Sequence, residues 1–278
     1  MTSDRTLIHL DHLTFSDSNV SGWAFRELTN WWGATQNKVP GVERPSGVGA
    51  FQRRRATRRS RVISFQARYR GSSAAEVERA YDELAAIGAD MPARMGVTTD
   101  DGTSWRTVIV EQQDAQSTHN RRYGWVDVDV TADDPRRYGD AEWLTTDPPS
   151  AGVGLVWPVV WPAVWPGGGS PGRVTLVNDG RAPSPSSFVL RGGFDTAVVT
   201  CVETGDRVGF ARPLPEGSVV TFDAETRRAL LNGQDASRWL RYRQWTDVPG
   251  LSSRTFQFDV TGATGSPSMS GRVLPAWW

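Results

Sequence analysis

The sequence has few of the side chains on which metal binding and nucleophilic catalysis most often depend. Its 278 residues include one cysteine, Cys201, and three histidines. A single cysteine excludes a disulfide within the chain, and no cysteine and histidine pattern has zinc-site spacing. Cys201 lies in an apolar strand-like segment, which is typical of a buried, unreactive thiol. We therefore predict that the protein uses neither a metal nor a cofactor.

Long apolar runs are also missing from the sequence. No segment approaches the roughly 20 apolar residues of a membrane-spanning helix, and residues 1–6 lack the apolar stretch of a signal peptide. Charge is balanced, with 31 basic and 31 acidic residues, which argues against a partner recognised by overall charge, such as nucleic acid or an anionic membrane. These features predict a protein made in a cytoplasm and without a membrane partner.

Catalytic motifs are weak or missing. The sequence contains no Gly-x-Ser-x-Gly motif and no glycine-rich phosphate loop followed by lysine. His9, Asp11 and His12 lie close together, but the segment is strand-like and a surface role is favoured. Asp127 and Asp129 would lie roughly 6–7 Å apart on the polar face of a strand, where solvation explains them better than acid/base chemistry. We therefore predict that the protein is not an enzyme.

The first half of the chain has the pattern of an α+β domain with one helix. Ser73 and Glu76 form a capping-box pattern, and apolar residues then follow helical spacing until Gly88. Strands are predicted at 61–70, in a hairpin over 97–110, and at 125–131.

The second half has the pattern of a β-sandwich and no helical periodicity. Short strand-like segments alternate with turn signals such as Asn-Gly and Pro-Gly. The predicted strands are 173–177, 187–191, 197–202, 207–210, 218–223, 228–231, 239–242 and 255–261. Residues 262–271 are rich in glycine, serine and proline and give no strand signal. Trp277 and Trp278 follow, and we expect this end to be docked, because two tryptophans are costly to leave in water. The predicted fold class is mainly β.

A Trp-Pro repeat over 157–166 separates the two halves. Proline removes amide donors and forces the preceding residue into an extended conformation, so Trp157, Trp161 and Trp165 would share one face of a strand. All missing donors fall on one edge, which predicts an edge strand paired on one side only. Three tryptophans amount to roughly 450–750 Å² of surface, which the chain's own domains or another subunit should cover.

An arginine-rich tract over 51–61 contains no acidic residue. Its arginines are Arg53, Arg54, Arg55, Arg58, Arg59 and Arg61. Arginine forks pair with carboxylates such as Asp127, Asp129, Asp133 and Asp134, which favours a structural or subunit contact. Contact with DNA is the less favoured interpretation, since the tract lacks interleaved aromatic residues.

Taken in order, several segments resemble the distal tail (Dit) proteins of long, non-contractile-tailed phages, in the version common in phages of actinobacteria. In the first half, the segments that carry the resemblance are 44–49, 61–71, 74–87, 125–138 and the aromatic-Pro repeat. In the second half, they are 177–180, 190–192, 228–233, Trp245, 248–250 and 256–258. The resemblance covers nearly the whole chain, and it depends on the order of these segments rather than on any one motif.

The resemblance implies a domain organisation and a function. Residues 1–150 would form a domain that closes into a hexameric ring, 151–172 a linker strand, and 173–278 a galectin-like β-sandwich. Such a ring joins the tail tube protein to the tail-tip hub protein in the virion and surrounds the path of the tape measure protein and later the DNA, without specific nucleic-acid binding. The sandwich would attach other minor tail or receptor-binding proteins. Under this interpretation the interface candidates are the six arginines, the three tryptophans of the repeat, Trp277 and Trp278.

A carbohydrate-binding module is the alternative function. Galectin-like sandwiches bind sugars through exposed aromatic side chains, and the residues placed to stack on a sugar would be Trp239, Tyr242 and Trp245.

Overall fold

The computed structural model describes residues 6–17, 22–39, 41–51, 57–117, 122–150 and 169–278. Contacts divide the chain into two compact units, Met1–Gly139 together with Trp278, and Asp140–Trp277. The first unit thus ends earlier than the boundary predicted after residue 150. The physical reason is a short strand at Leu144–Thr146, which pairs within the second unit. The predicted Trp-Pro edge strand at 157–166 lies outside the described residues.

The first unit contains one long α-helix among strands. Its described elements are β1 (Leu7–Leu10), β2 (Leu13–Ser16), β3 (Gly22–Thr29), β4 (Arg61–Arg70), α1 (Ala74–Ala86), β5 (Ala93–Thr99), β6 (Gly102–Ser117), β7 (Tyr123–Ala132) and β8 (Arg137–Tyr138). The predicted strand over 61–70 is confirmed, and so is the hairpin, although β6 continues beyond the predicted end at 110.

The strands of the first unit form a closed circuit of pairings. Their order is β6–β5–β1–β2–β3–β4–β7, and β7 pairs again with β6. The closure depends on β6, whose first part pairs with β5 and whose second part pairs with β7, with a register shift between Val110 and Gln112. All these pairings are antiparallel except that of β2 with β3, where Ser16 pairs with Ala24. The short strand β8 joins β6 through Trp105 and Tyr138.

Alternation along β4 and β7 places one face of each strand in the core. Their buried inward residues are Ile63, Phe65, Ala67, Val126, Val128, Val130 and Ala132. Val126, Val128 and Val130 thus lie inward on β7, opposite the polar face predicted for Asp127 and Asp129. Because side chains alternate, the polar residues between them all lie on the opposite face.

Helix α1 begins and packs as its sequence predicts. The Ser73 side chain accepts a hydrogen bond from the Glu76 N–H at 3.3 Å, and the Glu76 carboxylate accepts one from the Ser72 N–H at 2.8 Å. The residues that α1 buries are Val77, Ala80 and Leu84. A Cβ at Gly124 of β7 would lie 1.6 Å from the Tyr81 hydroxyl oxygen. Glycine at this position therefore lets the helix approach the sheet closely.

The second unit consists of short strands and one 3-10 turn among its described residues. The strands are β9 (Leu144–Thr146), β10 (Arg173–Asn178), β11 (Ser184–Arg191), β12 (Thr196–Cys201), β13 (Arg207–Phe210), β14 (Val219–Asp223), β15 (Arg228–Leu231), β16 (Gln234–Asp235), β17 (Leu240–Arg241), β18 (Asp247–Val248), β19 (Ser252–Thr261), β20 (Ser268–Val273) and β21 (Ala276–Trp277). The 3-10 turn covers Ser237–Trp239.

These strands form two sheets with an apolar core between them. One sheet has the order β10–β19–β12–β13–β17, and the other has the order β16–β15–β14–β11–β20–β9, with β18 also paired to β11. Aromatic rings meet across the core: the Phe188 and Phe256 centroids lie 4.8 Å apart, and those of Phe210 and Phe222 lie 6.4 Å apart. The predicted β-sandwich and the mainly β fold class are confirmed.

Two segments of the second unit differ from the sequence prediction. The predicted strand at 239–242 is a 3-10 turn followed by the two-residue strand β17. Residues 262–271, which gave no strand signal, include most of β20, a strand that pairs with β11 along its whole length. Gly271 weakens the strand pattern of β20, but it is needed for packing in the core. A Cβ at this position would lie 3.2 Å from the Phe188 ring and from the Val174 side chain. Packing requires a small residue there.

No helix among the described residues is both long and apolar enough to cross a bilayer.

Candidate assembly surfaces

The outward side chains of β4 and β7 form one continuous surface, which we call the β4–β7 outer face. Its cross-strand pairs are Val62 with Thr131, Ser64 with Asp129, Gln66 with Asp127, Arg68 with Trp125, and Arg70 with Tyr123. The carboxylates thus lie toward one end of the face, and the arginines and aromatic rings lie toward the other. This order follows from the sequence, since side chains alternate inward and outward along both strands without interruption.

The acidic end of this face contains an open groove of about 490 Å³, which we call the acidic groove. Its polar lining residues are Arg26, Glu27, Thr29, Ser64, Gln66, Asp127 and Asp129. The Gln66 side-chain amide donates a hydrogen bond to Asp127 Oδ1 at 2.8 Å. Asp114 of β6 lies directly opposite Asp127 in the register of β6 and β7. Like charges in directly opposed positions destabilise a sheet unless a cation lies nearby.

The groove offers hydrogen-bond acceptors on a paired sheet. Asp127 is already held by Gln66, and within the part of the chain that the structure describes no group of three or more His, Cys, Asp or Glu side chains could hold a metal ion. The arrangement suits docking of a polar or cationic surface.

The arginine-rich tract divides between surface and core. Arg53, Arg54 and Arg55 lie outside the described residues. Arg58 is half-buried, and its Nη1 donates to the Thr35 carbonyl at 2.6 Å, whereas Arg59 is exposed. Arg61 is only 3% exposed and donates to the carbonyls of Asn30 and Pro135. Arg61 is therefore a core residue and not an exposed contact, because its inward position on β4 directs the guanidinium at backbone carbonyls.

A second buried arginine lies beside Arg61, and its burial was not predicted from the sequence. Arg106 of β6 is 1% exposed, and its guanidinium lies 4.3 Å from the centroid of the Trp31 ring, which is fully buried. The Arg106 Nε and Nη2 atoms both donate to the Pro135 carbonyl at 3.4 Å. Alternation along β6 could have predicted its burial, because Ser104, Arg106 and Val108 are all inward positions.

Burial and neighbouring charges change the pKa values in this region. Desolvation, together with the positive charges of Arg61 and Arg137, lowers the pKa of Arg106 to about 9. Burial alone would raise the pKa of Asp134, but the hydrogen bonds and charge of Arg136, with a hydrogen bond from Tyr138, lower it below its ordinary value. Arg136 Nη2 donates to Asp134 Oδ2 at 2.7 Å. These groups fix the segment that follows β7.

The aromatic candidates of the second unit differ in exposure. Trp239 and Tyr242 are 36% and 46% exposed, whereas Trp245 is partly buried against the core and packs edge-on to Phe222. Arginine side chains already cover these rings in part: the Arg207 guanidinium lies 4.5 Å from the Tyr242 centroid. Two more guanidiniums lie near Trp239, those of Arg212 at 5.6 Å and Arg238 at 5.3 Å.

The two C-terminal tryptophans are both half-buried. Trp277 lies in β21 of the second unit, and Trp278 belongs to the first unit, where the Arg58 guanidinium lies 5.7 Å from its ring centroid. The three tryptophans of the repeat, Trp157, Trp161 and Trp165, lie outside the described residues.

His9, His12 and Cys201 have local partners. His9 hydrogen-bonds to the hydroxyls of Thr14 and Thr98 at 3.1 and 3.0 Å, and His12 contacts Glu83 at 3.1 Å. The two imidazoles thus have separate partners. Cys201 is buried, as its apolar segment predicts.

Comparison with known proteins gives a fold. No protein-family model matches the sequence, and no curated protein matches it either. The chain is similar to the crystal structure of SPP1 Dit over 98% of its own length and 99% of that chain, with a TM-score of 0.62 and 12% sequence identity. The chain has the Dit fold. The resemblance predicted from the sequence is thus confirmed at the level of fold, while the version found in phages of actinobacteria stays a prediction.

Two further solved structures are similar to this chain. Both are of the phage P2 baseplate in its activated conformation, one with Ca and one with Sr, and each has a TM-score of 0.56 and 10% sequence identity to this chain. SPP1 Dit is described as a paradigm of the hub adsorption apparatus in phages that infect Gram-positive bacteria. The match includes both units, because it covers almost the whole of each chain.

Proposed function

We propose that this protein is a structural component of a phage tail tip, a distal tail adaptor. Copies of its first unit would form a ring, expected to be hexameric, that joins the tail tube protein to the hub protein around the path of the tape measure protein and the DNA. The second unit would attach other minor tail or receptor-binding proteins. The protein would act in the virion, at the tail tip, without catalysing a reaction.

One observation carries this proposal: the Dit fold extends over 98% of the chain. The surfaces of the described residues agree with an assembly role. The β4–β7 outer face carries charges of both signs on a rigid sheet, which is typical of a surface that docks a partner in a fixed register.

Immunogold electron microscopy of phage particles that contain this protein tests the proposal. An antibody raised against the purified chain should label the end of the tail opposite the head. A matched antibody against a capsid protein from the same particles provides the control. Label on the head, along the whole tail, or on no particle would contradict a role at the tail tip.

A carbohydrate-binding module is the second candidate, and the exposure of Trp239 and Tyr242 is the observation that favours it. Stacking on a sugar would have to displace or share the arginine side chains that lie on these rings. Calorimetric titration with cell-wall polysaccharide tests this function, using Trp239→Ala and Tyr242→Ala variants. Binding that both variants abolish would support it, and an absence of binding by the wild-type protein would remove it.

A further inference from the structure

The basic end of the β4–β7 outer face contains a pocket, which we call the arginine pocket. It has a volume of about 330 Å³ and is lined by Arg68, Arg70, Gly71, Ser72, Arg122, Tyr123 and Trp125. Three arginines therefore line it, and no lining residue is acidic. A concave surface with three positive charges and two aromatic rings is built to receive an anionic group.

Among the described residues, the lining arginines have no carboxylate partner. No ion pair involving Arg68, Arg70 or Arg122 occurs among the residues that the structure describes. The Nε atom of Arg68 is buried and has no hydrogen-bond partner, although its guanidinium lies 5.9 Å from the Trp125 ring centroid. A buried donor without an acceptor is destabilising, so an incoming acceptor would be stabilising.

Glu76, the carboxylate that contacts the lining residue Ser72, is already engaged. It accepts hydrogen bonds from the Ser72 N–H at 2.8 Å, from the Ser72 hydroxyl at 2.6 Å and from the Tyr69 hydroxyl at 3.2 Å. These bonds lower the pKa of Glu76 and keep its carboxylate committed to the start of α1. An anion that binds in the pocket must therefore be a group other than Glu76.

The acidic groove supplies a complementary surface. Asp127 and Asp129 line it, and Asp114 stands directly opposite Asp127 across the β6–β7 pairing, so three carboxylates lie on the same side of the sheet. Arg26 is the one cation in the groove lining and leaves an excess of negative charge. Both the surplus acids and the surplus arginines thus lie on a single face of one chain.

We propose that the arginine pocket of one copy binds the carboxylates of the acidic groove of a second copy. This inference rests on the proposed assembly of identical subunits and names one contact between two copies. Arg70 and Arg122, which are exposed, would pair across the contact with Asp114 and Asp129. Charge complementarity favours a second copy over an unrelated acidic partner, because the chain itself carries the matching surface on rigid strands.

Charge exchange between two variants of the full chain tests this contact. The Arg70→Glu/Arg122→Glu variant and the Asp114→Arg/Asp129→Arg variant change mostly exposed side chains, and circular dichroism should show that both fold. Sedimentation velocity should show that either variant alone self-associates roughly 100-fold more weakly than the wild type, because like charges then meet at the contact. An equimolar mixture should recover association to within about 10-fold of the wild type.

The matched control is Arg191→Glu/Arg228→Glu, which reverses two exposed arginines of the second unit and should associate like the wild type. The proposal is overturned if the wild type stays monomeric at every concentration, if Arg70→Glu/Arg122→Glu associates like the wild type, or if the mixture gives no recovery. If the antibody labels the tail tip but both charge variants associate like the wild type, the proposed function stands and this contact is wrong. If charge exchange restores association but the antibody does not label the tail tip, this contact stands and the proposed function is wrong.

Discussion

The side-chain oxygen of Asn178 accepts a hydrogen bond from the backbone N–H of Ala276 at 3.3 Å, which fastens the C-terminal segment to the turn after β10. The same side chain donates to the carbonyls of Ala182 at 2.8 Å and Val248 at 3.0 Å, and accepts from the Gly180 N–H at 3.0 Å. Asn178 is fully buried. One amide therefore satisfies backbone groups of three separate segments of the second unit.

Replacing Asn178 with alanine should destabilise the second unit. The substitution leaves buried backbone donors and acceptors without partners, and we expect a loss of about 2–4 kcal/mol in the free energy of unfolding. Chemical denaturation monitored by tryptophan fluorescence measures this loss. Asn37→Ala, at an exposed position, is the control and should change stability by less than about 0.5 kcal/mol. Equal effects of the two substitutions would contradict the structural role of Asn178.

The buried pair of Arg106 and Trp31 should respond unequally to substitution. Arg106→Met keeps most of the side-chain volume and removes a desolvated charge close to Arg61, so stability should change by less than about 1 kcal/mol or increase. Trp31→Ala removes a fully buried ring and should cost about 3–5 kcal/mol. Thermal unfolding of both variants provides the comparison. A loss on Arg106→Met as large as that on Trp31→Ala would show that the charge itself holds the core.

Asp134 should make the stability of the first unit sensitive to acid. Its pKa in the folded protein lies below the ordinary value of 3.8, so the unfolded chain takes up the proton first as the pH falls. The stability from Asp134 is therefore complete above the unfolded pKa and is lost as the pH falls through the folded one. Asp134→Asn should be less stable than the wild type by about 1–3 kcal/mol near neutral pH, and this difference should shrink below pH 4. Urea denaturation at several pH values measures it, and a constant difference would contradict the assignment.

Gly271 should resist replacement by larger residues. Its position lies against the Phe188 ring and the Val174 side chain, where even a Cβ would come within 3.2 Å of both. Gly271→Val should cost about 1–3 kcal/mol through overpacking. Ser268→Val, at an outward position on the same strand, is the matched control and should be tolerated. Similar unfolding midpoints for the two variants would show that the core around Phe188 can yield.

The alternation of apolar and polar residues along the strands predicted much of the fold from sequence. The strand over 61–70 and the inward valines of β7 are read directly from alternation, and the Ser73 cap predicts the start of α1. Strand β20 could not be predicted in this way, because Gly271 is set by a tertiary contact with Phe188 that no local pattern contains. Long-range packing, rather than propensity, decides such positions.

The surfaces were less predictable than the fold. A run of arginines indicated a contact surface, yet Arg61 lies in the core. Arg68 and Arg70 face outward on the same strand, because side chains alternate along β4. Arg122 joins them only through the pairing of β4 with β7, which links residues far apart in sequence. Pockets built across strands cannot be assembled from a linear pattern until the register is known.

Electron microscopy of the purified full chain over a wide range of concentration tests the proposed ring assembly directly. We expect a closed ring with a central channel, formed by copies of the first unit, with the second unit accessible to other tail components. A well-folded chain that remains monomeric at all concentrations and in phage lysate would contradict it.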